Sequence, residues 1–292
     1  MHIFPYAVLS TALMMAALSH DSGGQQTAGS SVRVELNIPA FRLDVWRDSV
    51  RVESFGVAVG SRRYATPRGS FAITTVTWNP WWYPPPSEWA ANDTVTPPGP
   101  ANPMGRVKVQ LATTYFIHGT PLEASIGSAA SHGCIRMRNA DAIAFARLLQ
   151  ESAGIAMSDS ALEHLFATRT THTVALPDSV PAALVYRTAE VFGDTLAMHP
   201  DVYGLRVDRA AEAVAALRSA GVDSVFIDAG VLDSLLRRSR TRAVRVALGA
   251  LRLTPTSVTG AQARPERQRT GDRTISARSS GPGVPDAGCV SR

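Results

Sequence analysis

Between Val32 and Val59 the sequence alternates apolar and polar residues in three consecutive runs. This period of two constrains the fold more than any other feature of the chain. Val32, Val34, Leu36 and Ile38 alternate with polar neighbours, Phe41 to Trp46 repeats the pattern, and Val50 to Val59 repeats it again. Such runs bury one face and hydrate the other, which predicts strands, with Arg47-Asp48-Ser49 as a hairpin turn. Thr66-Pro67-Arg68-Gly69 breaks the chain before a further strand, Ser70 to Thr77. More strands are expected at Arg106 to Leu111, Thr114 to His118, Val174 to Leu176 and Ala183 to Arg187. Between them lies an irregular stretch, Trp78 to Gly105, with four of the five Trp and eight of the 19 Pro. A loop that long inside a compact domain is usually functional, which makes it a candidate lid.

Helices are expected in the second half. Asn139 is a candidate N-cap for a helix through Gln150, with Ala142, Ile143, Phe145, Ala146 and Leu149 on its apolar side. Ser160-Ala161-Leu162-Glu163 reads as a capping box for a second, short helix. Asp208 to Ala220 is Ala-rich and ends at Gly221, Val222 to Asp228 is a short apolar run, and Val231 to Leu251 reads as largely helical. Beyond Thr254 the sequence is Arg, Ser, Thr, Gly and Pro with almost no large apolar residue, a composition expected to stay disordered.

Composition narrows the class. With 292 residues, 45% hydrophobic and 18% charged, the chain can build one sizeable core, with or without a small appendage. Two cysteines exclude a disulfide scaffold, and no 18-residue apolar run follows the N-terminus, which excludes a polytopic membrane protein. Ile3 to Leu18 has the length of a signal-peptide core, and Ala17 and Ser19 form a small-residue cleavage site. Residues 1–19 are therefore expected to be a signal peptide and 20–30 a polar linker, giving an exported protein of the periplasm or cell wall. The net charge of +5 is uneven: residues 237–292 hold twelve Arg and three acids. This basic region is expected to be a solvated helix face and tail, and no nucleic-acid partner is expected. His2, His20, His164, His172 and His199 show no metal-ligand spacing, so no metal or other cofactor is expected.

The chemistry concentrates in IHGTPLEASIGSAASHGCIRMRN, Ile117 to Asn139. It holds His118, Cys134 and, beside the cysteine, His132. A thiol at its ordinary pKa is only slightly ionised at neutral pH, and an imidazole within reach can take its proton to make a thiolate nucleophile. The imidazole must itself be oriented, often by a backbone carbonyl. Gly119 and Gly133 allow the close approach and unusual φ that such a turn needs, and backbone amides there can receive an oxyanion. Cys289 lies in the basic tail and is a poor structural partner for Cys134, which favours a working thiol.

HGT followed by SIG and SHGCIRM resembles the catalytic signature of the L,D-transpeptidase family with a YkuD-type domain. The upstream TPRGSF and PPGPANPMG are similar to other recurring segments of that family. The resemblance covers roughly Val32 to Gln150 and extends less specifically to about Gly204. It implies a mainly β, YkuD-like sandwich or barrel with a packed helix, plus a small helical C-terminal extension. The expected division is a catalytic domain over 31–205, a helical or α/β extension over 206–252 and a disordered basic tail over 253–292.

The resemblance also implies roles. Cys134 is the nucleophile, His118 the general base, Gly119 the carbonyl that orients it, and the amides around Gly133 and Cys134 the oxyanion site. His132, Ser131 and Tyr83 are implied substrate-side residues, and Arg136 a carboxylate partner. The implied partner is a peptidoglycan stem peptide, cross-linked 3→3 through a cysteine thioester by a monomer. Water, a free D-amino acid or a lysine of an outer-envelope lipoprotein are alternative acceptors. Papain-like and NlpC/P60-like hydrolases place Cys before His, and sortase-like enzymes separate His and Cys much further. A metal-dependent wall peptidase would need converging ligands that this sequence does not offer. A non-catalytic wall-binding module would be expected to have lost His118 or Cys134.

Overall fold

The computed structural model describes residues 32–222 and 227–251. The expected signal peptide, linker and basic tail, with Cys289, lie outside the described residues. Nine strands form one sheet in the order β2-β1-β9-β4-β5-β6-β8-β3-β7. These are β1 (Val32–Asn37), β2 (Arg42–Arg47), β3 (Val50–Gly60), β4 (Gly69–Trp78), β5 (Val107–Gln110), β6 (Phe116–Thr120), β7 (Ala129–Ser131), β8 (Ile135–Arg138) and β9 (His172–Val185). An additional β2–β3 pairing closes eight of these strands into a ring, with β7 attached beside β3. The fold is mainly β, with the strands that the alternation predicts, and barrel-like, as the resemblance implies.

Long β3 makes the closure. Its first half pairs with β2 and its second half with β8 and β7, with a register shift between Val45 and Trp46 on β2. The alternating residues Val34, Leu36, Leu43, Val45, Val57 and Val59 all point into one core with Ile73, Ile117, Ile135 and Met137. Helix α1 (Asn139–Ser152) packs Ala142, Phe145, Ala146 and Leu149 on the same core, which is the apolar side expected from the sequence.

Several local expectations change. Asn139 is the first residue of α1, and its side chain makes no cap. It joins two strand segments instead: Oδ1 accepts from Arg106 N at 2.9 Å and Nδ2 donates to Thr120 O at 3.1 Å. Helix α2 (Asp159–Thr168) is capped by Ser158, whose hydroxyl accepts from Ala161 N, two residues earlier than the expected box. The two expected late strands are one 14-residue strand, β9. A bulge between the Ile73–Val180 and Thr75–Ala175 pairs lets β9 carry Pro177 without losing its partner.

A second, three-stranded sheet holds β10 (Ala189–Phe192), β11 (Thr195–Met198) and β12 (Val244–Ala247). With α3 (Arg209–Ser219) and α4 (Ala229–Arg238) it has its own core around Leu196, Met198, Leu217 and Leu235. β10 and β11, which precede residue 206, thus share a sheet with β12, which follows it. The expected helix over Val231 to Leu251 stops at Arg238, because Val244 and Val246 pair with the open edge of β11. No helix among the described residues is long and apolar enough to cross a membrane.

Candidate active site

Parallel pairing of β6 with β8 sets the site. Ile117 lies opposite Ile135 and His118 opposite Arg136. Ile117, Ile135 and Met137 point into the core, so the alternate residues His118 and Arg136 face outward on the same side. Cys134 immediately precedes β8 and shares that face. On the other flank of β6, β5 places Lys108 opposite His118 and Gln110 opposite Phe116. One row across the sheet therefore reads Thr77, Lys108, His118, Arg136 and Ala58.

His118 is 4% exposed, and its Nδ1 lies 2.6 Å from the carbonyl oxygen of Gly119. A carbonyl only accepts, so Nδ1 carries the proton and Nε2 keeps its lone pair. Burial pushes the imidazole pKa down to about 4; the Gly119 bond opposes this, and Arg136 and Lys108 add to it. The ring is neutral at neutral pH. Gly119 has no room for a side chain: a Cβ would sit 2.4 Å from Asn139 Oδ1.

Cys134 is a thiol, 2% exposed, packed with Trp82, Met104 and Phe116. Its Sγ lies 3.9 Å from Thr114 O. The turn before it is held from inside. Ser131 Oγ donates to Cys134 O at 2.5 Å and accepts from Gly133 N at 3.1 Å. Ser131 is buried, so its hydroxyl is used by the turn rather than facing a substrate. Gly133 adopts φ +114°, a region that excludes most side chains. Its amide, expected to join an oxyanion site, is directed at Ser131 here. Thr66, from the TPRGSF segment, clamps the turn from the other side. Its hydroxyl donates to Gly133 O and accepts from Gly60 N, both at 2.8 Å. Tyr203 OH in turn accepts from Thr66 N at 3.0 Å. Sequence reasoning gave Thr66 no role, because its partners lie six and 67 residues away.

His132 is sandwiched between aromatic rings. Trp89 stacks on it at 4.0 Å with 3° between planes, and Tyr64 lies at 4.9 Å. Burial and Arg136 lower its pKa, while Asp93 opposes them. Through Trp89 the Trp- and Pro-rich loop closes on the nucleophile turn. The loop is fastened elsewhere by Asn102, fully buried, whose Nδ2 reaches the carbonyls of Pro80, Thr96 and Pro97 at 2.9–3.1 Å. Its Oδ1 accepts from Met104 N at 2.8 Å. The four tryptophans divide by role. Trp78 is core and donates to Gln150, Trp82 covers Cys134, Trp89 stacks on His132, and Trp81 is 41% exposed and stacked on Tyr83.

Tyr83 lines a groove of about 560 Å³ together with Trp81, Lys108, Gln110 and Phe116. Tyr83 thus lies on the wall of this groove. A second concavity of about 640 Å³, at the junction with the small sheet, is lined by residues such as Arg42, Glu190 and Phe192 and includes none of the candidate site residues.

Residues 31–173 match the YkuD family profile, described as the L,D-transpeptidase catalytic domain. The chain is 36% identical over 119 residues to the Escherichia coli protein named probable L,D-transpeptidase ErfK/SrfK, covering 37% of this chain and 38% of that protein. It is 26% identical over 151 residues to YkuD of Bacillus licheniformis, covering 47% of this chain and 79% of that one. The first match spans well under half of the relative's length. Among solved structures, an L,D-transpeptidase from Mycobacterium smegmatis is similar with a TM-score of 0.36 at 16% identity, covering 54% of this chain and 59% of that one. The matched span contains the closed sheet up to the start of β9, both flanks of the site and the whole nucleophile turn. Residues 31–173 are thus a YkuD-type, L,D-transpeptidase catalytic domain.

Proposed function

We propose that this protein transfers acyl groups between peptidoglycan stem peptides through a thioester on Cys134, forming 3→3 cross-links. The observation that carries this reading is His118: neutral, fixed through Nδ1 to Gly119 O, and on the same sheet face as Cys134. His118 Nε2 takes the thiol proton as Sγ attacks the carbonyl of the third stem residue. Negative charge then develops on the carbonyl oxygen. The Cys134 amide and Arg136 are the groups suited to oppose it. The tetrahedral adduct collapses by breaking the C–N bond, and His118 gives its proton to the departing amine of D-Ala. An acceptor amine attacks the thioester, His118 removes its proton, and the thiol is regenerated. Arg136 is assigned to the carboxylate of the departing residue, and His132 with Trp89 to the cleft wall.

The same reading takes residues 1–19 as an export signal and 20–30 as a linker, and places the work in the periplasm or cell wall. The enzyme acts as a monomer and needs no cofactor. A lipoprotein lysine remains a second acceptor class. The test is intact mass spectrometry of products from a disaccharide-tetrapeptide, beside a Cys134→Ala control. A dimer lighter than two donors by one D-Ala is expected. Loss of D-Ala without a dimer would make the enzyme a carboxypeptidase. Full transfer by Cys134→Ala would sink the nucleophile assignment.

A further inference from the structure

The groove beside the site has an unusual composition. Its floor is the outward face of β4, β5 and β9, with Thr75, Thr77, Gln110 and Thr173 supplying hydroxyl and amide groups. Trp81 and Tyr83 form one wall, their rings stacked at 6.4 Å and both exposed. Phe116, which packs against Cys134, closes the end nearest the thiol. Among the described residues lining the groove, Lys108 alone carries a charge. It is also the chain's one lysine among 29 basic Lys and Arg residues. Its ammonium lies 4.7 Å from the Phe116 ring centroid, and its backbone pairs with that of His118. A floor of hydroxyl and amide groups, of which Thr77 is buried, an aromatic wall and one cation are the make-up of a site for an extended, anionic, partly apolar ligand.

Distance along the sheet fixes which part of a ligand would meet Lys108. β8 and β5 are separated by β6 alone, so Lys108 stands two strand spacings, roughly 10 Å, from the strand that follows Cys134. Two to three extended residues span about that length. A compact ammonium at that position suits a single carboxylate approached from varied angles, whereas the planar fork of Arg136 suits bidentate pairing.

We propose that this groove is the subsite for the upstream part of the acyl donor, and that Lys108 reads a free carboxylate one or two residues before the acylated one. The inference rests on the acyl-transfer reading above and names the charge that the site selects. Lys108 is thereby a specificity-determining residue, distinct from Arg136 on the opposite side of His118.

The test uses two stem tetrapeptides that differ only in bearing a carboxylate or a carboxamide at the second residue. Acylation of the full chain is followed by intact mass spectrometry without acceptor. The unmodified protein is expected to prefer the carboxylate donor by about tenfold, the size of one charge-assisted hydrogen bond. Lys108→Met should erase that preference, and Lys108→Arg should keep most of it. Equal losses on both donors, with a shifted pH profile, would mean that Lys108 acts only through His118 and would overturn the proposal. Equal acylation of the two donors by the unmodified protein would overturn it as well. Binding of both peptides to Cys134→Ser, read by Trp fluorescence, separates the two levels of inference. If no thioester forms but Lys108-dependent discrimination in binding persists, the acyl-transfer reading fails and the groove assignment stands. No discrimination in binding refutes the groove assignment by itself.

Discussion

Thr66 offers a sharp test of how the nucleophile turn is held. Its hydroxyl bridges Gly60 N and Gly133 O inside a buried pocket, with 2.8 Å on each side. Thr66→Val keeps the shape and removes both bonds. Two buried backbone groups then lose a partner, each at a cost of about 1–3 kcal/mol, so destabilisation of about 2–5 kcal/mol is expected after partial relaxation. For a domain of this size that is a fall in Tm of roughly 5–15 °C. Thr66→Ser keeps both bonds and loses one methyl group, about 1 kcal/mol. The pair of variants therefore separates hydrogen bonding from packing. Urea unfolding gives the stability of each. Acylation of Cys134 by a stem tetrapeptide gives the effect on the turn, expected mainly in kcat because the nucleophile is misplaced rather than the substrate lost. Valine and serine variants of equal stability and equal kcat would show that the Thr66 bridge does not hold the turn.

Three further outcomes are expected. His118 has a folded pKa of about 4 against about 6.5 unfolded, so the unfolded chain binds the extra proton between those values. Stability should therefore rise with pH from about 4 to 6.5 and flatten above, with His118 contributing about 3 kcal/mol of that rise; an identical slope in His118→Gln by urea unfolding would refute this. Asn102→Ala removes the fastening of the Trp- and Pro-rich loop, so limited proteolysis should cut within residues 79–105 at least about tenfold faster while the closed sheet stays intact. Unchanged cleavage would show that the loop is held by other contacts. Trp89→Ala uncovers His132, and its NMR titration midpoint should move up toward the ordinary imidazole value, since burial is the leading cause of its depression. A midpoint that stays put would assign the depression to Arg136.

The local pattern in the sequence determined what depends on neighbours a few residues apart. Alternation gave β1 to β3, because a strand that buries one face needs little beyond its own period of two. The apolar side of α1 was legible for the same reason. HGT and SHGC marked His118, Gly119 and Cys134 as one chemical group, because that chemistry tolerates few residue types. Tertiary structure decided what depends on distant partners. Asn139 looks like a cap in the sequence, yet its side chain joins Arg106 and Thr120 because β5 and β6 bring those segments beside it. Ser131 looks like a substrate-side hydroxyl, yet the turn consumes it. The stretch Val244 to Ala247 follows a helix and reads as more helix, yet the unpaired edge of β11 makes it a strand. The partners of Thr66, Trp89 and Lys108 were not legible in the sequence, because they lie far along the chain. Their importance comes from the tertiary fold, which sets Thr66 against Gly133, Trp89 against His132 and Lys108 beside His118.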